Sequence, residues 1–580
     1  MRPRLAIAVV LGILICMVST SIASIPESSG SQKLSPINSP PQAVNGPQVT
    51  LVILARFSDR NNNTSPTQIA GTLVSVNQYY GEDSYGTLSF QTSLTPVPGS
   101  QWYTLPQTMV YYGADTVASD SQLVSDSLQA AYNAGVNLSN YKFALVVHAG
   151  DDEAISHVTA DIHSFTIPGF VFSPAPLILY KISTSVVAES DPMGVYAHEF
   201  GHLLGLPDLY DLTRQIDPTN NFIGYWEIMA LGEWNPNTGN PFSPKPGTYP
   251  SHHSSWSKIQ LGFLPGSRTV TVQPGASMNI TIQNLEMPTS GNQSVRIPIA
   301  ANSDGSLTSY YLLEMRAKLA VYDQYLPFPS SYPGAGLLIY KVNESIPAGQ
   351  GSVRLINAHP GGDLNSAAFG PCNLPCVSNN TYWDTGNYVK IIVTKTTPTA
   401  YSVTVDRTGS PFLLLQVNTP SANTMVSVDG NNFTSDSSRE VRILVHYGPH
   451  SVRVQSQIPL SLGATTIGVG LTNSFAAWND GSTANPRWVT VSKDTMLTAT
   501  YRIVVEPSFA TAATAVLILG VIATVLTLSR RKRNRQVEQQ TPTVPNTPLQ
   551  QPFASQSLPG DNSLPGGSVH GDDETKKSEP

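Results

Sequence analysis

The residues with the clearest chemistry stand together in Ala197-His198-Glu199-Phe200-Gly201-His202-Leu203-Leu204-Gly205-Leu206-Pro207-Asp208. His198 and His202 are four apart, so on a helix they share one face. Two imidazoles one turn apart can hold a zinc ion at about 2.0–2.1 Å. Glu199 projects beside them, where it can reach water on the metal without being a ligand. Zinc lowers the pKa of such a water to about 7. Glu199 would take a proton from that water as it attacks a peptide carbonyl, then pass it to the leaving nitrogen. A centre of this kind needs a third protein ligand and one open position. Gly205 lets the chain turn sharply, because glycine tolerates positive φ. That turn brings Asp208 back toward the metal; Asp211 and the distant Glu227 are the rivals.

The motif alone recurs by chance, so the elements around it must carry the reading. Ser190-Asp191-Pro192 reads as a helix start, with Asp191 as cap and Pro192 at the first helical position. The helix runs to about Leu204, and Gly205 closes it. Upstream, 49–55 and 141–147 are short apolar runs that read as buried strands, and 115–134 has helical spacing. Residues 169–172 or 177–180 supply a third strand. Strands alternating with helices predict an α/β layer up to about residue 265. Downstream, Met229 in Tyr225-Trp226-Glu227-Ile228-Met229-Ala230 falls at a spacing suited to a turn beneath the metal. Residues 266–408 and then 409–505 hold many short alternating runs between turn residues, which predicts β structure, the second stretch as a compact sandwich.

The segment resembles the immune inhibitor A family of secreted zinc metallopeptidases, whose motif is H-E-x-x-H-x-x-G-x-x-D followed by a Met-turn. LVILARFSD (51–59), YYGEDSYGTLSF (79–90), WYTLPQTMVYYG (102–113) and FALVVHAGDDE (143–153) are similar to the family's early segments. WEIMALGEWN (226–235) and SSWSKIQLGFL (254–264) resemble the Met-turn and the helix that closes the domain. YYLLEMR, GAGLLIYKVNE and VRLINAHPGGDLNSAAF resemble the β region that follows, so the likeness covers about 49–408. The resemblance implies a zincin/metzincin-like catalytic domain with His198, His202 and Asp208 as zinc ligands. It also implies Glu199 as general base and Met229 as a packing floor. Some family members use calcium; Asp211 and Asp151-Asp152-Glu153 are the acidic groups in suitable loops. Some related peptidases stabilise the oxyanion with a tyrosine two places after the methionine. That position is Leu231 here, which leaves Tyr225, His252 and His253 as candidates.

The ends of the chain place this chemistry outside the cell. Arg2 and Arg4, an apolar run and Ser21-Ile22-Ala23 form a cleavable signal peptide at 1–23. Residues 24–48, rich in Ser and Pro, form a disordered spacer. Residues 509–528 carry no charge and are long enough to span a bilayer. The basic cluster from Arg530 to Arg535 puts the following side in the cytoplasm. The expected plan is therefore α+β: catalytic domain 49–265, β-rich domain 266–408, β-sandwich module 409–507, transmembrane helix 509–528 and disordered cytoplasmic tail 529–580. Sequons at Asn63, Asn137, Asn279, Asn292, Asn343, Asn379 and Asn432 all fall in the expected ectodomain. Cys372 and Cys376, alone after the signal is removed, predict a small-loop disulfide.

The net charge is -7 and no basic stripe crosses the folded part, so nucleic-acid binding is unsupported. Charged residues make up 12%, against about 25% in an average soluble protein. Such a chain has few paired carboxylates to lose in acid, which predicts an ectodomain that stays folded at low pH. Two other functions compete with a membrane-anchored endopeptidase acting on polypeptides. One is a surface binding protein that keeps the fold without turnover; it would ordinarily lose Glu199 or a histidine, and all are present. The other is a structural envelope protein, which fits 409–505 and leaves the motif unexplained.

Overall fold

A computed structural model of the chain describes residues 43–212, 222–236, 244–330, 333–371, 379–459, 471–505 and 507–537. The expected signal peptide, the spacer up to residue 42, Cys372, Cys376 and the tail from residue 538 lie outside the described residues. Two compact units are present, one ending at Val504 and one that holds the C-terminal helix.

The first sheet begins with β1 (Gly46–Arg56), three residues ahead of the expected start. It continues with β2 (Leu88–Thr95), β3 (Tyr103–Thr104), β4 (Phe143–His148), β5 (Phe165–Ala175) and β6 (Ile178–Ala188). The order is β2-β1-β4-β6-β5, with β3 beside β1. All pairs are parallel except β5–β6, so β5 is an antiparallel edge strand. Both runs offered as alternatives for the third strand are strands, and they form one hairpin. β1 is buried on both faces: Val52 and Leu54 enter one core, Leu51, Ile53 and Ala55 another. Burial on both faces is why such strands read as continuous apolar runs.

Two helices pack behind the sheet's first face. Pro66–Asp83 begins with a capping box in which Ser65 and Gln68 satisfy each other's backbone N–H, with proline in the first turn. Its buried side includes Ile69, Leu73, Val76 and Tyr80. The other helix, Met193–Leu203, carries the motif and is buried along nearly its whole length. Asp191 does not cap it. Its carboxylate accepts Ala188 N–H at 2.7 Å and the Ser164 hydroxyl at 3.0 Å, and Pro192 occupies the cap position. The Asp191 side chain therefore turns back to close the β6–helix corner.

A second sheet, β12-β11-β10-β9-β7, is built from β7 (Thr269–Thr271), β9 (Ser294–Ala301), β10 (Leu307–Ala317), β11 (Ala335–Asn343) and β12 (Val353–Leu355). A third, β13-β14-β15-β8, adds β8 (Ser277–Gln283), β13 (Thr381–Asp384), β14 (Val389–Thr396) and β15 (Ala400–Asp406). β10 and β11 face both ways. Tyr310, Leu312, Leu338 and Tyr340 join the core that holds Phe200, Met229 and Trp256. Tyr311, Leu313, Leu337 and Ile339 join the core shared with β8, β14 and β15. The hydrophobic core around the motif helix thus runs on across residue 265. Strands between Phe412 and Val505 form two further sheets around Leu415, Val426, Val452 and Trp478. The fold is mixed α+β with β-rich parts after the helical layer.

The C-terminal unit contains a helix, Pro507–Val537. Among the described residues no helix is long and apolar enough to cross a membrane. The described side chains of this helix begin only at Ala515, past the start of the expected 509–528 span.

Candidate metal centre

The motif helix ends at Leu203, and Gly205 takes φ 103°, the left-handed turn that the sequence calls for. The chain then folds back along the helix. Leu206 N–H returns to Gly201 O at 3.0 Å. Leu206 O accepts the His202 Nδ1 proton at 2.7 Å. Asp208 follows, and its Oδ1 lies 3.2 Å from both His198 Nε2 and His202 Nε2, which are 3.1 Å from each other. His198, His202 and Asp208 form one close group of potential ligands, to which neither Asp211 nor Glu227 belongs. Asp211 is buried nearby. Glu227 accepts the backbone N–H groups of Ser254 and Met229.

The Met-turn sets this geometry from below. Ile228 O accepts the His198 Nδ1 proton at 2.9 Å, and Met229 O accepts Leu209 N–H at 2.7 Å. With each Nδ1 donating to a carbonyl, each neutral imidazole presents its unprotonated Nε2 toward Asp208. Two nitrogen lone pairs and a carboxylate oxygen facing one another repel unless a positive charge lies among them. The donor set N, N, O fits zinc. Met229 lies against the helix between the two histidines. A Cβ added to Gly201 would meet Met229 Sδ at 2.5 Å, so only glycine at 201 admits this packing.

The carboxylates around the two histidines favour positive charge at this point, a proton on the metal-free site or a cation in its place. Burial would lower the His198 pKa, but Glu233 and Asp208 raise it to about 10. Burial would raise Asp208, yet His202 and His198 hold it well below the usual carboxylate range. Burial pushes Glu199 up, against the opposing pull of His202 and His198. Its Oε2 accepts the Thr166 hydroxyl at 2.6 Å, which ties the carboxylate to the edge strand β5.

Three neighbours escaped the sequence reading. Thr166 has no motif signal. Glu233 lies 3.5 Å from His198 Nδ1, and burial pushes its pKa up to about 7. It sits four residues after Met229, and an acidic residue so close to a Met-turn could have been flagged. Tyr210 donates its phenolic proton to Asp208 and stands two residues after it; burial, then Asp208, raises its pKa. Of the oxyanion candidates, His252 and His253 are fully buried and paired with Glu286 and Asp83. Neither can meet a substrate. Tyr225 lies in the turn Gly224–Trp226. Of the acidic triplet, Asp152 is occupied by Ala154 N–H, Ser164 N–H and the Ser164 hydroxyl at 2.6–2.9 Å. Glu153 groups with Asp115 and His163 at the surface.

Residues 179–264 match the sequence model of the immune inhibitor A peptidase M6 catalytic domain. The pre-pro-metalloprotease PrtV of Vibrio cholerae is 27% identical over 259 residues, which covers 37% of this chain and 26% of that protein. Immune inhibitor A of Bacillus thuringiensis is 29% identical over 203 residues, 27% of this chain and 28% of that protein. The chain therefore spans about a quarter of the length of these curated relatives. A solved structure of OgpA from Akkermansia muciniphila aligns at 10% identity and a TM-score of 0.24, over 55% of this chain and 94% of that one, too distant to bear on fold or site. The matched segment holds both histidines, Glu199, Asp208 and Met229, so it is over residues 179–264 that this chain is similar to the immune inhibitor A peptidase M6 catalytic domain.

Proposed function

We propose that this chain is a zinc metalloendopeptidase that hydrolyses polypeptides outside the cell. The observation that carries the reading is the convergence of His198 Nε2, His202 Nε2 and Asp208 Oδ1, with the Glu199 carboxylate held alongside. His198, His202 and Asp208 would hold the metal, and Met229 would support them. Bound zinc supplies a Lewis acid and an acidified water at neutral pH. Glu199 is the general base: its carboxylate takes the proton from water at the carbonyl and delivers it to the departing nitrogen. Thr166 orients Glu199 through its hydroxyl and stabilises the charged form. The raised affinity of Glu199 for a proton, caused by burial, suits a group that must both accept and return one.

The placement at the membrane rests on the sequence. The run 509–528 is uncharged, and the described apolar side chains from Val516 to Leu528 are exposed rather than packed into a core. On this reading the helix Pro507–Val537 anchors an extracellular N-terminal part. Calcium, used by some family members, has its acidic candidates at Asp151–Glu153 and Asp211.

The test uses the purified full-length chain. Metal analysis should find one zinc per chain, and casein cleavage should stop with a chelator and return with zinc. Glu199→Ala should keep the zinc and lose cleavage. A wild-type chain that binds zinc yet cuts no peptide in a library would favour a surface binding protein. Extraction of membranes at alkaline pH tests the anchor: the chain should remain with the lipid, and a chain ending at 505 should not.

A further inference from the structure

The segment that carries Asp208 and the Met-turn is gripped from the β-rich region at four points. Leu212 N–H donates to Gly349 O at 3.0 Å, and Leu355 N–H donates to Phe222 O at 2.9 Å. Trp226 Nε1 donates to Leu364 O at 2.7 Å. Arg316 Nη1, from β10, donates to Trp226 O at 3.1 Å. Two and three residues past Trp226 are the carbonyls that matter to the site. Ile228 O orients His198, and Met229 O holds Leu209, the neighbour of Asp208.

Among these partners Arg316 is the one whose position is fixed most heavily. It is fully buried. Its guanidinium forks onto Asp323 at 2.8–2.9 Å and meets Glu286 at 3.0 Å and Glu314 at 3.2 Å. A planar guanidinium held on several sides cannot follow a carbonyl that shifts, so it sets where that carbonyl lies. The nearest comparison is Arg407, which is buried in the same β-rich region and donates to Pro298 O at 2.8 Å. Arg407 touches no part of the 208–229 segment in any hydrogen bond found among the described residues.

We propose that Arg316 is a positioning residue of the metal centre, fixing through the Trp226 carbonyl the turn whose Ile228 and Met229 carbonyls place His198 and the Asp208 strand. The proposal rests on the metal-centre reading given above. It makes the β-rich region a working part of the site, not an appendage to it. Arg316 touches neither metal nor substrate and acts only through the turn.

The experiment compares full-length wild type, Arg316→Lys and Arg407→Lys in two readouts. The first is hydrogen exchange in metal-free protein over segments 206–212 and 222–232. The second is zinc affinity by competition with a chelator. Arg316→Lys keeps the charge but loses the fork and should speed exchange in both segments. It should weaken zinc binding about 10–100-fold, as loss of an outer-shell partner does. Arg407→Lys should do neither. Asp323→Asn, which loosens the fork without changing shape, should move both readouts the same way and decides the matter if Arg316→Lys does not fold. Wild-type exchange and zinc affinity in both Arg316→Lys and Asp323→Asn would overturn the proposal. So would an equal effect from Arg407→Lys, which would mark a general loss of stability. A wild-type chain that binds no zinc would sink the metalloenzyme reading, while the exchange comparison would still decide the role of Arg316.

Discussion

Among the described residues, two largely buried clusters bring histidine and carboxylate atoms to ligand distance. One is His198, His202 and Asp208; the other is Asp83, His252 and Glu286. They differ in what else is present. The second cluster contains its own cations: Lys258 Nζ lies 2.9 Å from Asp83 and 3.4 Å from Glu286, and Arg316 lies 3.0 Å from Glu286. Among the described residues the first has no lysine or arginine partner, and the second ring nitrogen of each histidine is committed to a backbone carbonyl. Residue types at ligand spacing therefore mark a metal site only where no side-chain cation already balances them. On the proposed reading the first cluster takes its positive charge from a bound ion, whereas the second has side-chain cations of its own.

The largest expected effect separates chemistry from binding inside the first cluster. Glu199→Ala should lower turnover about 10²–10⁴-fold, the usual worth of a positioned general base, with zinc content unchanged. Next comes binding. Asp208→Ala should weaken zinc by more than the roughly 10–100-fold typical of outer-shell changes, while Asp83→Asn, at a residue that pairs with His253 and Lys258 and not with Arg316, should leave zinc affinity alone; a chelator competition reads both. An equal loss in Asp83→Asn would erase the distinction between the two clusters. Stability should answer the other way round. Lys258→Met strands two buried carboxylates and should cost about 3–5 kcal/mol in denaturant unfolding, with zinc stoichiometry intact.

The two clusters should also part company with pH. Burial would raise Asp83 and Glu286, but Lys258, His253, His252 and Arg316 hold both well below the carboxylate range. Groups lowered in the folded state give stability that is fully present above their unfolded values, about 4, and is lost progressively as pH falls from there through the folded ones. His252 is shifted upward: burial would lower it, and Glu286 and Asp323 overcome that. Its contribution is complete below about 6.5 and fades as pH rises through the folded value. The fold should therefore be steadiest on the mildly acidic side and persist toward pH 3. Protons compete with zinc for His198 and His202, so zinc should leave before the chain unfolds. Melting curves beside a zinc-retention titration would show the order, and unfolding by pH 5 would refute it. The smallest effect concerns Thr166. Thr166→Val removes a hydrogen bond to the charged form of Glu199, so the acidic limb of the activity profile should move up by about one pH unit or less.

The candidate metal site was legible because its parts are local. A helix with two histidines one turn apart, a glycine turn and an aspartate all fall within 198–208, and short-range geometry brings them together. The helix Pro66–Asp83 was missed, although Ser65-Pro66 with Gln68 and the apolar spacing from Ile69 to Val76 announce it. Its apolar positions are diluted by Thr, Gln, Asn and Gly. Asp191 was read as a cap from its place before proline, but its carboxylate instead accepts the N–H of Ala188 at the strand end three residues back. The ion cluster was out of reach altogether. Asp83, His252, Glu286 and Arg316 come from four distant stretches, and nothing in spacing joins them. The scarcity of charge was visible in composition; that so much of it would be gathered in one buried place was not.

The hold that the β-rich region has on the 209–229 segment has a consequence in time. The histidines leave the ribosome well before Arg316, Gly349 and Leu364 exist. At roughly 5–20 residues per second, the stretch from Asp208 to Leu364 takes on the order of ten seconds or more to make. Throughout that interval a nascent chain carries the hydrolytic motif without the pieces that lock its geometry. If the β-rich region does position the turn, as proposed above, order of synthesis leaves the centre unsettled until that region has been made.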